Sequence, residues 1–139
     1  MKKIVLLILM VIFTFPAPGK AAEVAQIKPH ELKQLIEKRS KFILIDSRDS
    51  GKYSQGHIEG AVNIHFDPSG DPNARQMILM ALPIDNLIII YGDAEDEKAA
   101  EGLALELYDM GCDMDSLKIL SGGIAQWKKQ GFTLITAGN

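Results

Sequence analysis

The sequence predicts an α/β domain: about five short parallel strands with helices on both faces of the sheet. Three observations lead there. Apolar runs of four or five residues alternate along the chain with stretches whose apolar residues fall at helical spacing. The strongest runs are apolar throughout rather than at every second position, as in strands covered on both sides. The length, 139 residues with 24% charged and 47% hydrophobic side chains, suits one ordinary globular domain plus a leader.

The elements follow in order. Val24 to Ile27 reads as a short first strand. Pro29 suits a first helical turn, and Leu32, Leu35 and Ile36 carry the helix to Lys38. Phe42 to Ile45 is a buried strand ending at Asp46, and Ala61 to Ile64 is another. Asp67 to Asn73, with two prolines and a glycine, reads as a surface loop, and a helix from Ala74 to Ala81 stops before Pro83. Leu87 to Tyr91 is the strongest strand. Ala100, Leu103, Ala104 and Leu107 then fall at i, i+3, i+4 and i+7, an amphipathic helix ended by Gly111. Leu117 to Leu120 is the last strand, Gly122 and Gly123 a tight turn, and Ile124 to Lys129 a short helix.

Residues 1–21 are set apart. Lys2 and Lys3 precede a twelve-residue uncharged apolar run, Ile4 to Phe15, broken by Pro16 and Pro18. That is the pattern of a secretory signal peptide. The run falls short of the roughly 20 residues needed to span a bilayer, so no stable membrane span is expected after cleavage. Gly19 and Ala21 occupy the small-residue places of a cut before Ala22. The division is therefore 1–21 leader and 22–139 domain, with a periplasmic or secreted location expected. Loss of Lys2, Lys3 and Lys20 takes the formal charge from −3 to −6. An acidic chain without a basic cluster excludes nucleic acid as the main partner. Cys112 is the single cysteine, so no intramolecular disulfide can staple the fold.

In parallel sheets chemistry sits beyond the carboxyl ends of the strands, where backbone N–H groups and helix starts converge. Two segments should meet there: Asp46 to Asp49, and Gly92 to Lys98. The stretch ILIDSRDSGKYSQGHIEGAVNI, Ile43 to Ile64, carries Asp-x-Arg after a strand, an aromatic at Tyr53, and Gly-His-Ile-x-Gly-Ala-x-Asn-Ile. LKILSGGIAQWKKQGFTL, Leu117 to Leu134, adds a Gly-Gly turn and a Trp127 helix. Together these resemble the rhodanese (sulfurtransferase-like) family over about Ile27 to Leu134.

The resemblance implies a specific chemistry. Active members have a cysteine directly after the aromatic that ends the central strand. Its thiolate takes sulfur from a donor such as thiosulfate and passes it on as a persulfide, which needs a thiol whose pKa is lowered by surrounding N–H groups. Here the matching loop reads Gly92, Asp93, Ala94, Glu95, Asp96, Glu97, Lys98. Gly92 can hold no persulfide. Asp93, Glu95, Asp96 and Glu97 place four carboxylates where an anion should arrive. At about 6 Å each repels a unit negative charge by roughly 1 kcal/mol at water-like dielectric. A helix end offers only about 0.3–1 kcal/mol in return.

No catalytic residue is therefore assigned. Asp46, Arg48 and His57 are read as loop supports, the first two through charge-assisted hydrogen bonds. Cys112, next to Gly111 at the far end of a helix, reads as structural. His30 and His65 have no partner at metal-ligand spacing, so neither a metal nor another cofactor is expected. The acidic loop admits a hard cation, but a solvated loop is the simpler reading. The function expected is a non-catalytic rhodanese-like module that binds an unidentified protein or small ligand. The alternative is a sulfurtransferase-type sulfur-handling enzyme or carrier acting by an unrecognised route, for example with Cys112 or a partner's thiol.

Overall fold

The computed structural model describes residues 23–94 and 97–136, the side chain of Glu97 excepted. The leader at 1–21 and the loop residues Glu95 and Asp96 lie outside the described residues.

The chain runs β1 (Ala25–Ile27), α1 (Pro29–Glu37), β2 (Ile43–Asp46), α2 (Ser50–Gln55), β3 (Ala61–Asn63), α3 (Pro72–Leu79), β4 (Ile88–Tyr91), α4 (Glu97–Asp109), a 3-10 turn at Met114–Ser116, β5 (Leu117–Leu120) and α5 (Gly123–Lys129). The five strands form one sheet in the order β1-β5-β4-β2-β3. Every pairing is parallel. The α/β class and both-face covering expected from the sequence are present.

The central strand shows how the two faces arise. Side chains alternate along a strand, so Ile88 and Ile90 point into one apolar layer with Leu79 of α3 and Leu103, Ala104 and Leu107 of α4. Ile89 and Tyr91 point into the other, with Leu32 of α1 and Ile124 and Trp127 of α5. All four β4 residues are fully buried. That is why Leu87 to Tyr91 reads as an unbroken apolar run.

Two local readings need correction. The stretch Asp67 to Asn73 is loop only in its first part: α3 begins at Pro72, where proline's missing N–H costs nothing, and Asp71 caps it by accepting from the Asn73 N–H at 2.9 Å. The second is the stretch between Asp46 and Ala61, to which the sequence reading gave no helix: α2 has no fully buried residue and hence no apolar stripe. Its local signal is the cap, Asp49, which accepts from the Lys52 N–H at 3.0 Å.

The outer layer of α3 and α4 is tied by a charged clamp. Arg75 donates from Nε and Nη2 to the two Glu106 carboxylate oxygens at 2.7 and 2.6 Å, and its guanidinium lies 4.8 Å from the centre of the Phe66 ring. The hydrogen bond to Glu106, ahead of burial's opposing effect, holds the Arg75 pKa above its ordinary value. Phe66 in turn lies over Gly102 of α4, where a Cβ would come within 2.3 Å of the ring's Cζ.

A mid-helix glycine usually costs up to about 1 kcal/mol relative to alanine. At position 102 the sign should reverse. Gly102→Ala is expected to lower stability by about 1–3 kcal/mol through overpacking against Phe66, measured by urea unfolding. A more stable variant would show that Phe66 does not depend on this notch.

Candidate functional site

The structure brings the two expected segments together. The Ser47 N–H and hydroxyl both donate to the Tyr91 carbonyl, at 2.9 and 3.0 Å. The ends of β2 and β4 thus lie side by side at the switch in strand order, with Gly92 next in the chain.

Beneath the site is a buried ion pair. Arg48 donates from Nε to Asp46 Oδ1 at 2.9 Å and from Nη2 to Oδ2 at 2.6 Å, in fork geometry. Nη2 also reaches the Gly56 carbonyl at 2.8 Å. The Arg48 backbone N–H closes a tight turn on Asp46 Oδ1 at 3.0 Å, and the Asn63 amide donates to the carbonyls of Asp46 and Arg48. Burial alone would lower the Arg48 pKa, but the hydrogen bond to Asp46 and its charge outweigh this and raise it. Tyr91 lies nearby, with the Arg48 guanidinium 5.8 Å from its ring centre. Its hydroxyl accepts from the Ile58 N–H at 3.1 Å. Burial, and next the charge of Asp46, push this phenol far above its usual range.

His57 is held as part of the turn. Its Nδ1 lies 2.9 Å from the Tyr53 carbonyl, and its ring stacks on Tyr53 at 3.8 Å. Its backbone exchanges two hydrogen bonds with Ile135, both 2.9 Å, so the C-terminal stretch lies against this turn.

The loop following β4 meets the Gly-Gly turn. The Ile124 N–H donates to the Gly92 carbonyl at 2.9 Å. Gly123, at φ +55°, makes the approach possible: a Cβ there would stand 2.4 Å from the Gly92 oxygen. Gly92 is buried, Asp93 half-buried, Ala94 and Lys98 exposed, and Glu97 opens α4.

Beside this loop is a cleft of about 390 Å³ whose lining includes Arg48, Lys52, Gln55, Asp93, Lys128 and Leu134. The Asp93 carboxylate forms an ion pair across it with the Lys52 ammonium. One of the four acidic loop residues is therefore neutralised by a cation on α2. The sequence reading missed Lys52, Gln55 and Lys128. Lys52 follows the cap residue Asp49 by three positions, which locates it on the first turn of α2 but not its reach to Asp93.

Cys112 lies elsewhere, between α4 and β5 at the amino edge of the sheet. It is 3% exposed, and burial together with the charge of Asp85 raises its thiol pKa. Both effects oppose thiolate formation. Among the described residues neither His30 nor His65 belongs to a group of three or more side chains that could hold a metal ion.

Two outcomes follow from these pairs. Arg48→Leu leaves the Asp46 carboxylate buried without its cation and is expected to cost about 3–5 kcal/mol, read by denaturant unfolding. A loss near zero would mean that water reaches Asp46 freely. Lys52 titrates above its usual value because of the hydrogen bond and charge from Asp93. Its contribution to stability is therefore present through neutral pH and disappears as pH rises through the raised lysine pKa. Asp93→Asn should bring the Lys52 midpoint down towards an ordinary lysine's, observable by NMR titration of Nζ; an unchanged midpoint would exclude the pairing in solution.

A family model described as the rhodanese-like domain matches residues 28–130. Among solved structures, the BH2092 protein from Bacillus halodurans is similar at TM-score 0.69 and 23% identity, over 81% of this chain and 77% of that one. The rhodanese-like domain of the Alr3790 protein from Anabaena gives TM-score 0.66 and 25% identity, over 80% and 78%. The 3-mercaptopyruvate sulfotransferase SseA from Escherichia coli gives 0.65 and 20%, over 84% of this chain and 52% of that one. No curated protein matches the chain. The family match spans most of the sequence, and its boundaries enclose α1 through α5 with the Asp46–Arg48 turn and the Gly92 loop, so this chain belongs to the rhodanese-like domain family.

Proposed function

We propose that this protein is an exported, non-catalytic rhodanese-like module that binds a partner protein or small ligand at the cleft beside the Gly92 loop. The single observation that carries the reading is Gly92. It follows Tyr91 at the end of β4, the place where active members of the family carry the nucleophilic cysteine. Persulfide transfer needs a soft nucleophile at that point, and glycine offers no side chain.

Two features support it. The Lys52 ammonium is engaged by Asp93, so an anionic sulfur donor would have to displace a carboxylate tethered beside it. Cys112, the other possible nucleophile, is buried with a raised pKa. The basic start and short apolar run of residues 1–15 support export to the periplasm or cell exterior.

The test is sulfur transfer from thiosulfate to cyanide by the purified protein, with thiocyanate measured. No thiocyanate above the buffer rate is expected. Clear turnover by the wild type would overturn the proposal. The Gly92→Cys variant run beside it reports on the cradle: gained activity would mean that only the nucleophile is missing, and continued silence that the acidic loop also blocks the donor.

A further inference from the structure

The site just described leaves one chemical question about this sulfur-family fold: which of its sulfur atoms can react at all. Among the described residues the candidates are Cys112, Met77, Met80, Met110 and Met114. Cys112 is 3% exposed and packed in the α3/α4 apolar layer, and Met110 and Met114 pack against that same layer. Met77 and Met80 are different. They are 75% and 74% exposed, with Ile78 half-exposed between them.

Their position on α3 explains the exposure. The inward side of that helix is fixed by Leu79, fully buried, and by Arg75, clamped to Glu106. Residues 77 and 80 are one turn apart and project from the outward side, so both thioethers face solvent on one surface. Methionine oxidation follows access of the oxidant to sulfur. No pKa has to be lowered first, because the thioether lone pair is always available.

We propose that Met77 and Met80 form an oxidant-modification site among the described residues, taking peroxide-class oxidants such as hydrogen peroxide to give a pair of methionine sulfoxides at the end of α3. In each step the thioether lone pair attacks a peroxide oxygen and the O–O bond breaks. Sulfur gains the S–O bond and is oxidised by two electrons. The departing hydroxide takes the proton from the oxygen now bound to sulfur and leaves as water. The sulfoxides extend into solvent while Leu79 and Arg75 keep their inward contacts. The fold therefore persists and the change is one of surface chemistry: an apolar face becomes polar.

The chain's tryptic sites separate the two classes of sulfur. Cleavage after Arg75, Lys98 and Lys118 puts Met77 and Met80 on the peptide Gln76 to Lys98, and Met110, Cys112 and Met114 on Ala99 to Lys118. The folded protein is exposed to hydrogen peroxide, quenched, digested and followed by mass spectrometry, with circular dichroism melting on the undigested sample. The first peptide is expected to gain one and then two oxygen atoms at least about tenfold faster than the second gains any, since sulfur access sets the rate. The doubly oxidised protein should melt as a cooperative unit close to the untreated one. Met77→Leu/Met80→Leu should abolish the fast uptake without loss of folding. Equal rates for the two peptides, earlier oxidation of Cys112, or collapse of the melting transition on oxidation of α3 would each overturn the proposal.

Discussion

The buried pairing of Asp46 with Arg48 is the interaction on which the site end of the domain depends. A carboxylate fully withdrawn from water is costly unless it is matched. Here it is matched two residues away, by a guanidinium whose fork fits it, and the Nη2 of that guanidinium also donates to the Gly56 carbonyl. The pair thus fixes the turn after β2 and its distance to the segment entering β3. Asn63 ties the same turn to β3 through two backbone carbonyls. Tyr91 brings in β4 from the other side.

On this base the loop beyond β4 is constrained at its root. Gly92 has its carbonyl capped by the first turn of α5, and that approach requires glycine at 123. On the proposed function, the position where active members present a nucleophile is Gly92, which has no side chain. Beside it Asp93 pairs with Lys52 across the cleft. The cleft is thereby charge-compensated from inside. Its lining combines long polar side chains with the apolar Ile124 and Leu134.

Much of this was legible in the sequence because burial writes a periodic signal. The run at 87–91 is apolar throughout because both sides of β4 are covered, and Leu103, Ala104 and Leu107 mark the inward stripe of α4. Elements held by caps rather than by apolar stripes were less visible: α2 rests on Asp49 and packs only Tyr53, partly buried, against the core, and the start of α3 rests on Asp71 and Pro72. The motif residues Asp46, Arg48 and His57 could be located, but their partners could not. Gly56, Tyr53 and Ile135 contribute backbone atoms, which leave no trace in side-chain identity. Lys52 was missed for a related reason, since its pairing with Asp93 joins positions 41 residues apart and no local pattern encodes it.

The exchange of backbone hydrogen bonds between His57 and Ile135 has a consequence in time rather than space. It closes a loop from residue 57 to residue 135, longer than those that pair β2 with β3 and β4, though shorter than the one that pairs β1 with β5. The chain entropy lost on closure grows with loop length. One wall of the cleft is Leu134, and the turn carrying Gly56 lies beside it. During synthesis this cleft therefore cannot be completed until residues 134 and 135 have emerged, after all five strands.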